Sequence, residues 1–432
     1  MEGRIKAEWD RLRKVIVHRP GIEMFFGLLD PHASLYERAF SQNAALKDHD
    51  RLVGALRDQF HVDVGYLTEK LKAYAEGSIK AKAMVVDSAL ERIDFVGDAK
   101  EVAQARAELK ENIDTYDTDY FIGIIMLMPR MVIRGSKGVE AIHINVTERD
   151  PLANLYFMRD QQAVTDKGIF LSRMSKPQRR NEPSLTRMLW KMMGLRIAHE
   201  SAAPATFEGG DFIPMKDFAL VGTGDRTNAQ GAEQMLRHGQ SFDEVAVVHQ
   251  PSNPLIPGTA PDPMVDMHLD TYFNVAGNGL VLGSEALLKR AYVDIYQKEG
   301  SSYRKVPGSP SLFDYIKGKG FDLIGLTTLE QLSYASNFLC VKDRAVLAVD
   351  SGLIVKKVLG NLEFKTKGDK KRYGALLSQA KKDYHTFRRS GQLFPHRKEL
   401  NQHGVDVYAV DLKDITGGYG GARCMTAVIE RS

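Results

Sequence analysis

Near the end of this 432-residue chain runs Gly417-Gly418-Tyr419-Gly420-Gly421-Ala422-Arg423-Cys424-Met425-Thr426. A glycine-rich turn delivers a cysteine at the start of an apolar, strand-like run. Glycine has no Cβ, so backbone can approach a ligand closely there. A thiol after such a turn stands where a nucleophile would. The only other cysteine, Cys340 in Asn337-Phe338-Leu339-Cys340-Val341, reads as a buried structural residue.

Three further clusters carry groups that could assist a thiol. Asn154-Leu155-Tyr156-Phe157-Met158-Arg159-Asp160 runs from apolar residues into a charged pair. Phe207-Glu208-Gly209-Gly210-Asp211-Phe212 sets two carboxylates around two glycines. In Met267-His268-Leu269-Asp270-Thr271-Tyr272-Phe273, an extended strand would put His268 and Asp270 on one face, because side chains alternate. A carboxylate beside an imidazole raises its pKa and suits it to acid–base work. Each cluster alone also has a plain structural reading: a solvated strand end, a turn with surface acids, a satisfied core histidine.

Gathered together, one thiol, one imidazole and three or four carboxylates form a negative pocket with a soft nucleophile. Such a pocket suits a planar guanidinium, which carboxylates hold in bidentate fashion. The chemistry is then thiolate attack on an electron-poor carbon bearing three nitrogens. Zinc is a poorer fit, because no paired CxxC or HxxxH spacing is present. A serine hydrolase is poorer too, for want of a GxSxG elbow.

Elements must position these groups. Residues 12–18 read as a buried strand closed by Pro20-Gly21, residues 42–60 as a helix, and 61–64 as a short strand. Residues 66–149 change character: Leu67, Leu71 and Tyr74 recur at helical intervals, and 98–109 is rich in Ala, Glu and Lys. This predicts an inserted helical subdomain, with 1–65 and 150–432 forming the main body. Beyond it, apolar strands at 168–171, 218–222, 279–283 and 344–349 alternate with helix-like stretches at 229–236, 285–296 and 376–389. Repeated strand–turn–strand–helix units predict an α/β class, or an α+β class with repeated small mixed sheets.

Hydrophobic residues at 43% and charged residues at 26% are globular values. The net charge of +4 arises from 59 basic and 55 acidic residues read as well mixed, so no nucleic-acid partner is expected. Two distant cysteines make no disulfide framework, which predicts a reducing, cytoplasmic compartment. Met1 to Asp10 lacks the apolar stretch of a signal peptide, and the run from Phe121 to Met128 is too short to span a bilayer, so no membrane partner is expected.

Taken in order, the four clusters resemble the arginine deiminases of the guanidine-modifying superfamily. The likeness covers nearly the whole chain. It includes Glu8-Trp9-Asp10-Arg11-Leu12, Val15-Ile16-Val17-His18-Arg19-Pro20-Gly21-Ile22-Glu23, Asp48-His49-Asp50 and a helical insertion in the right place. The resemblance implies a five-bladed α/β propeller, L-arginine as small-molecule substrate, a homo-oligomer, and neither metal nor cofactor. It assigns Cys424 as nucleophile, His268 as general acid and base, Glu208 as a catalytic carboxylate, and Asp160 and Asp270 as the guanidinium-binding pair. Asn154, Phe157, Arg179, Arg226 and, in the same shell, Asp211 would hold the rest of the substrate. Many relatives carry an arginine where this chain has Tyr419; the resemblance then gives Arg423 to the substrate's carboxylate. Carboxylates around the site should keep the Cys424 pKa from being low without substrate, so that the thiol is ionised by an arriving guanidinium or exists as a minor thiolate paired with protonated His268.

Overall fold

The computed structural model describes residues 5–134, 141–145, 151–258 and 262–432. The expected boundary near 149–150 lies outside the described residues, as does the start of the expected signal-free N-terminus.

The strand Leu12–Val17 pairs in parallel with Asp63–Tyr66 and antiparallel with Ala427–Arg431, so the two ends of the chain share one small sheet. Between the first two strands runs the helix Gln42–Gly54, capped by Ser41, whose hydroxyl accepts from Ala44 N at 3.3 Å. Its apolar side, with Ala45, Leu52 and Val53, is buried in the largest core.

The same order recurs four times. Gln162–Thr165 pairs antiparallel with Gly168–Leu171, which pairs in parallel with Ile197–Glu200. Phe212–Pro214, Phe218–Thr223 and Glu244–His249 repeat it. So do Phe273–Gly277, Leu280–Gly283 and Asp322–Gly325, and then Leu339–Lys342, Ala345–Val349 and Asp406–Val410. In each unit a tight hairpin supplies the antiparallel pair, and a crossover containing a helix supplies the parallel strand. The middle strands are buried along their length, Ala345–Val349 being an example, as sheets covered on both faces require. Cys340 lies in one such strand, fully buried.

Three expectations need correction. The stretch 285–296 is helical only over Glu285–Leu288; it then becomes the strand Val293–Glu299, paired with Glu244–His249 and with Ser302–Lys305. Val293, Ile295 and Tyr296 favour a pleated strand over a helix. The short strand expected at 61–64 is found at Asp63–Tyr66. The 66–149 stretch does carry the helices Leu67–Glu76, Ile79–Leu90, Ala99–Glu111 and Thr118–Leu127, but also a three-stranded sheet of Asp94–Val96, Arg130–Arg134 and Ala141–Asn145. Three of these helices insert Leu71, Val85 and Phe121 into the largest core, whereas Ala99–Glu111 buries nothing.

The fourth repeat unit carries a long excursion between its last two strands. The helices Ser351–Gly368 and Lys370–Ser390 meet at Asp369 and pack against each other.

Candidate active site

Every site cluster occupies the loop that leads into the first strand of a repeat unit. Asp160 precedes Gln162–Thr165, Glu208 precedes Phe212–Pro214, His268 and Asp270 precede Phe273–Gly277, and Cys424 precedes Ala427–Arg431. The fifth loop, before Leu339–Lys342, carries Asn337, which the sequence analysis passed over as the start of a structural run.

Hydrogen bonds join the five loops in a closed circuit. Arg159 N donates to Cys424 O at 2.9 Å, and Gly209 N to Asp160 O at 3.0 Å. Leu269 N donates to Asp211 Oδ1 at 2.9 Å. Asn337 Nδ2 lies 3.5 Å from Asp270 O, and Asn337 Oδ1 accepts from Gly421 N at 2.9 Å and Cys424 N at 3.2 Å. Asn337 is itself fixed: Asn274, buried, donates to Ser336 O and Phe338 O at 2.7 and 2.8 Å.

The glycines are explained by crowding. A Cβ on Gly209 would lie 2.1 Å from Gln162 O, and one on Gly210 would lie 2.8 Å from His268 Cγ. The Glu-Gly-Gly-Asp turn, a 3-10 turn over Gly209–Asp211, therefore packs directly under the imidazole. His268 and Asp270 do not alternate on a strand as expected. They bracket a second 3-10 turn, Leu269–Thr271, because the strand starts only at Phe273.

Cys424, His268, Asp160, Arg179, Arg226, Asn154 and Phe157 line one small cavity, together with Leu35, Met267, Gly418 and Tyr419. The thiol is 4% exposed, so its glycine turn encloses it instead of presenting it to solvent. Tyr419 keeps a left-handed backbone (φ 71°) and Lys365 Nζ donates to its hydroxyl at 3.2 Å.

His268 Nε2 donates to Glu208 Oε2 at 2.8 Å, and its Nδ1 lies 3.8 Å from Asp160 Oδ1. Burial alone would discharge this ring, but the charges of Asp160, Asp211 and Glu208, with the bond to Glu208, lift its pKa to about 9. Burial also works against ionised Glu208; the Arg226 and Arg179 guanidiniums, 3.7 and 4.0 Å away, and His268 win, and hold its pKa far below the usual range. The resting pair is an imidazolium and a carboxylate. At Cys424, burial and the charges of Asp270 and Asp160 all raise the thiol pKa well above its ordinary value, outweighing the opposing effects of Asn337 and Arg423. The Sγ sits 3.8 Å from Asp270 Oδ2.

Asp160 and Asp270 each use one oxygen and leave the other bare. Asp160 Oδ2 accepts from Arg179 Nη1 at 2.7 Å, and Asp270 Oδ2 from Arg423 Nη1 at 2.7 Å. Asp160 Oδ1 and Asp270 Oδ1 are buried without a hydrogen-bond partner. Buried carboxylate oxygens are costly to leave unpaired, and a cationic ligand would satisfy them. Arg226 Nη1 is likewise buried and lacks an acceptor. Arg179 is anchored from behind by Glu182, at 2.9–3.1 Å. Asn154 Nδ2 donates to Ser34 O at 2.7 Å, and the Phe157 ring lies tilted against Tyr156 with centroids 4.1 Å apart.

Two assignments change. Arg423 is fully buried and bound to Asp270, to Glu8 (3.3 Å) and to Phe212 O (3.0 Å). Its donors are committed inside the protein, so it is not placed to take a substrate carboxylate. Asp211 does not line the cavity; it grips Leu269 N and so positions the His268 loop, and a Cβ on Gly222 would lie 2.4 Å from its Oδ1.

Asp160, Glu208 and His268 offer ligand atoms within 4.8 Å of one another. Their surroundings do not favour a metal: the imidazole is held protonated by its carboxylates, and Arg179 and Arg226 already neutralise them.

This arrangement belongs to a mixed α/β fold that other chains share. A dimethylarginine dimethylaminohydrolase solved as an adduct with S-methyl-L-thiocitrulline superposes with a TM-score of 0.50 at 16% identity, over 96% of this chain and 98% of that one. AgrE, in its ternary complex with ornithine and NAD+, superposes with a TM-score of 0.51 at 13% identity, over 98% of this chain and 40% of that one. Within that fold, the chain belongs to the arginine deiminase family, whose sequence model matches residues 33–431. The arginine deiminase of Oenococcus oeni is 23% identical over 99% of this chain and 97% of its own length. That of Halobacterium salinarum is 24% identical over 79% and 85%.

Proposed function

We propose that this chain hydrolyses L-arginine to L-citrulline and ammonia through a covalent intermediate on Cys424. The observation that carries the reading is a pair of buried carboxylate oxygens without hydrogen-bond partners, one on Asp160 in the cavity wall beside the imidazolium, the other on Asp270, whose second oxygen lies 3.8 Å from the thiol. A guanidinium bridging those oxygens satisfies both and holds its plane against Sγ. Its positive charge also reverses the field that keeps the thiol protonated.

The thiolate adds to the guanidinium carbon. His268, charged at neutral pH, gives its proton to the departing nitrogen, and ammonia leaves. The resulting S-alkylthiouronium holds the arginine skeleton less ammonia. Neutral His268 then takes a proton from water, which adds to the same carbon, and the C–S bond breaks to give citrulline and the thiol. Glu208 keeps the imidazole oriented and biased towards its charged form. Arg226, with a free buried donor, is the best-placed partner for the substrate carboxylate, with Asn154, Phe157 and Arg179 shaping the remaining wall. No step calls for a metal or organic cofactor.

The closed circuit of five loops also supports a five-bladed arrangement of the repeat units around the site, with residues 66–149 as an inserted subdomain of helices and one small sheet.

The test is citrulline formation from arginine, beside agmatine and methylated arginines. Arginine is expected to be preferred over agmatine, which lacks the carboxylate for Arg226. With Arg423 withdrawn from the site, that preference rests on few groups. Arg226→Ala is therefore expected to raise KM for arginine more than for agmatine, while its loss beside Glu208 slows both. Faster turnover of agmatine than arginine would refute the substrate assignment.

A further inference from the structure

Charge is less evenly mixed than the whole-chain balance implies. Residues 351–390 contain eleven Lys and Arg against three Asp and Glu, whereas the full chain has a net charge of only +4. The remainder is therefore net acidic. These residues are the helical pair Ser351–Gly368 and Lys370–Ser390. On the first helix, Leu353, Lys356, Gly360, Phe364 and Lys367 recur at intervals of three and four and form one stripe, exposed at every position. Leu353 is 46% and Phe364 68% exposed, large apolar groups left substantially open to solvent. Lys370 and Lys371 follow at the turn, both exposed. Among the described residues, no ion pair is recorded for Lys356, Lys367, Lys370 or Lys371.

We propose that this stripe is a docking surface for an anionic lipid bilayer. Two apolar side chains flanked by lysines match the interface: the rings and methyls enter the acyl boundary while the ammonium groups meet headgroup phosphates. A single exposed aromatic on a ridge of two helices gives no stacking platform or groove for a nucleic acid strand. Association is peripheral and reversible, since no helix of the described residues is long and apolar enough to cross a membrane. The surface lies in the excursion of the fourth repeat unit, whose first helix also reaches the cysteine loop through the bond from Lys365 to Tyr419.

Co-sedimentation of the full chain with vesicles tests this. Phosphatidylcholine vesicles doped with phosphatidylglycerol should pellet the protein at low salt, pure phosphatidylcholine vesicles should not, and added salt should release it. Lys367→Glu combined with Lys371→Glu should cut partitioning by roughly tenfold or more, at about fivefold for each lysine removed from an anionic surface. Phe364→Ser should weaken binding and leave its salt dependence intact. Unchanged thermal melting of both variants shows that folding is not the cause. No pelleting with anionic vesicles at low salt, equal pelleting with neutral ones, or full binding by the double variant would overturn the proposal. Binding of an RNA oligonucleotide that excludes vesicles, and is lost in the same double variant, would assign the surface to nucleic acid instead.

Discussion

At Cys424 two effects point the same way. Burial and the charges of Asp270 and Asp160 both keep the proton on sulfur in the empty site. On the proposed mechanism the nucleophile is thus made by its substrate. Ultraviolet thiolate absorbance, with Cys424→Ser as blank, should show no ionisation in free enzyme at neutral pH and a lowered pKa with methylguanidinium bound. Full ionisation without ligand would contradict this. His268 works in the opposite sense. Its pKa near 9 keeps the ring charged below that pH and discharges it above, so the acid step and kcat/KM should fall as pH rises through about 9. Glu208→Gln removes the hydrogen-bonded anion, and should move that basic limb to lower pH as well as reduce the rate. A limb unmoved by the substitution would remove Glu208 from this role. Asn337 acts through position alone: Asn337→Ala strands Gly421 N and Cys424 N, which should cost about 1–3 kcal/mol of stability and much of kcat, with KM less affected. An unchanged kcat would show that the cysteine loop holds itself.

Between the residues and the whole lie the five loop-to-strand junctions. Their glycines exist because backbone and ring pass within van der Waals range. Gly210→Ala would drive a methyl into the His268 ring, and Gly420→Ala would place one 2.3 Å from Phe157 Cε1. Each should lower kcat by at least about tenfold and destabilise by about 1–3 kcal/mol, the range for overpacking. Activity assays and thermal melts would show both. A fully active Gly210→Ala enzyme would mean that the turn yields more than its packing implies. Two of these junctions, at Gly209-Gly210 and over residues 417–421, were legible in the sequence as Gly-Gly turns beside chemistry-bearing residues. Their conformation was not. His268 and Asp270 were expected to alternate along a strand, but the strand starts at Phe273, and a turn brings them to the site from the same short segment. The strand at Val293–Glu299 was hidden for a similar reason. Its pairing with Glu244–His249 is a tertiary contact that overrides the helical spacing around it.

On the scale of the molecule, the first and last strands close one sheet, and Glu8 is the electrostatic clasp. It meets Arg423, Arg431 and Arg159, and although burial opposes its charge, those guanidiniums depress its pKa from 4.5 to about 2. A depressed carboxylate contributes stability above its unfolded pKa and loses it as pH falls. Glu8 should therefore contribute on the order of 3 kcal/mol at neutral pH, lost between about pH 4.5 and 2. Denaturation of Glu8→Gln across that window should show a flatter pH dependence than the parent. Equal slopes would assign acid unfolding to other carboxylates. The same clasp explains why Arg423 was misread. Next to the cysteine, an arginine looks like a substrate ligand, and only the fold reveals that Glu8, more than 400 positions away, has claimed it. Asn337 was missed for the mirror reason: nothing in Asn337-Phe338-Leu339-Cys340 distinguishes a catalytic loop from a strand entry until the five loops meet.

The central claim is that Cys424 carries the substrate carbon between two half-reactions. Acid quenching within the first turnovers on L-arginine, followed by peptide mass analysis, measures it most directly. The account predicts a mass increase equal to arginine less ammonia on the peptide containing Cys424, absent from Cys424→Ala, which should form no citrulline. Citrulline formation by Cys424→Ala, or steady turnover of the parent with no adduct at any time point or pH, would contradict it.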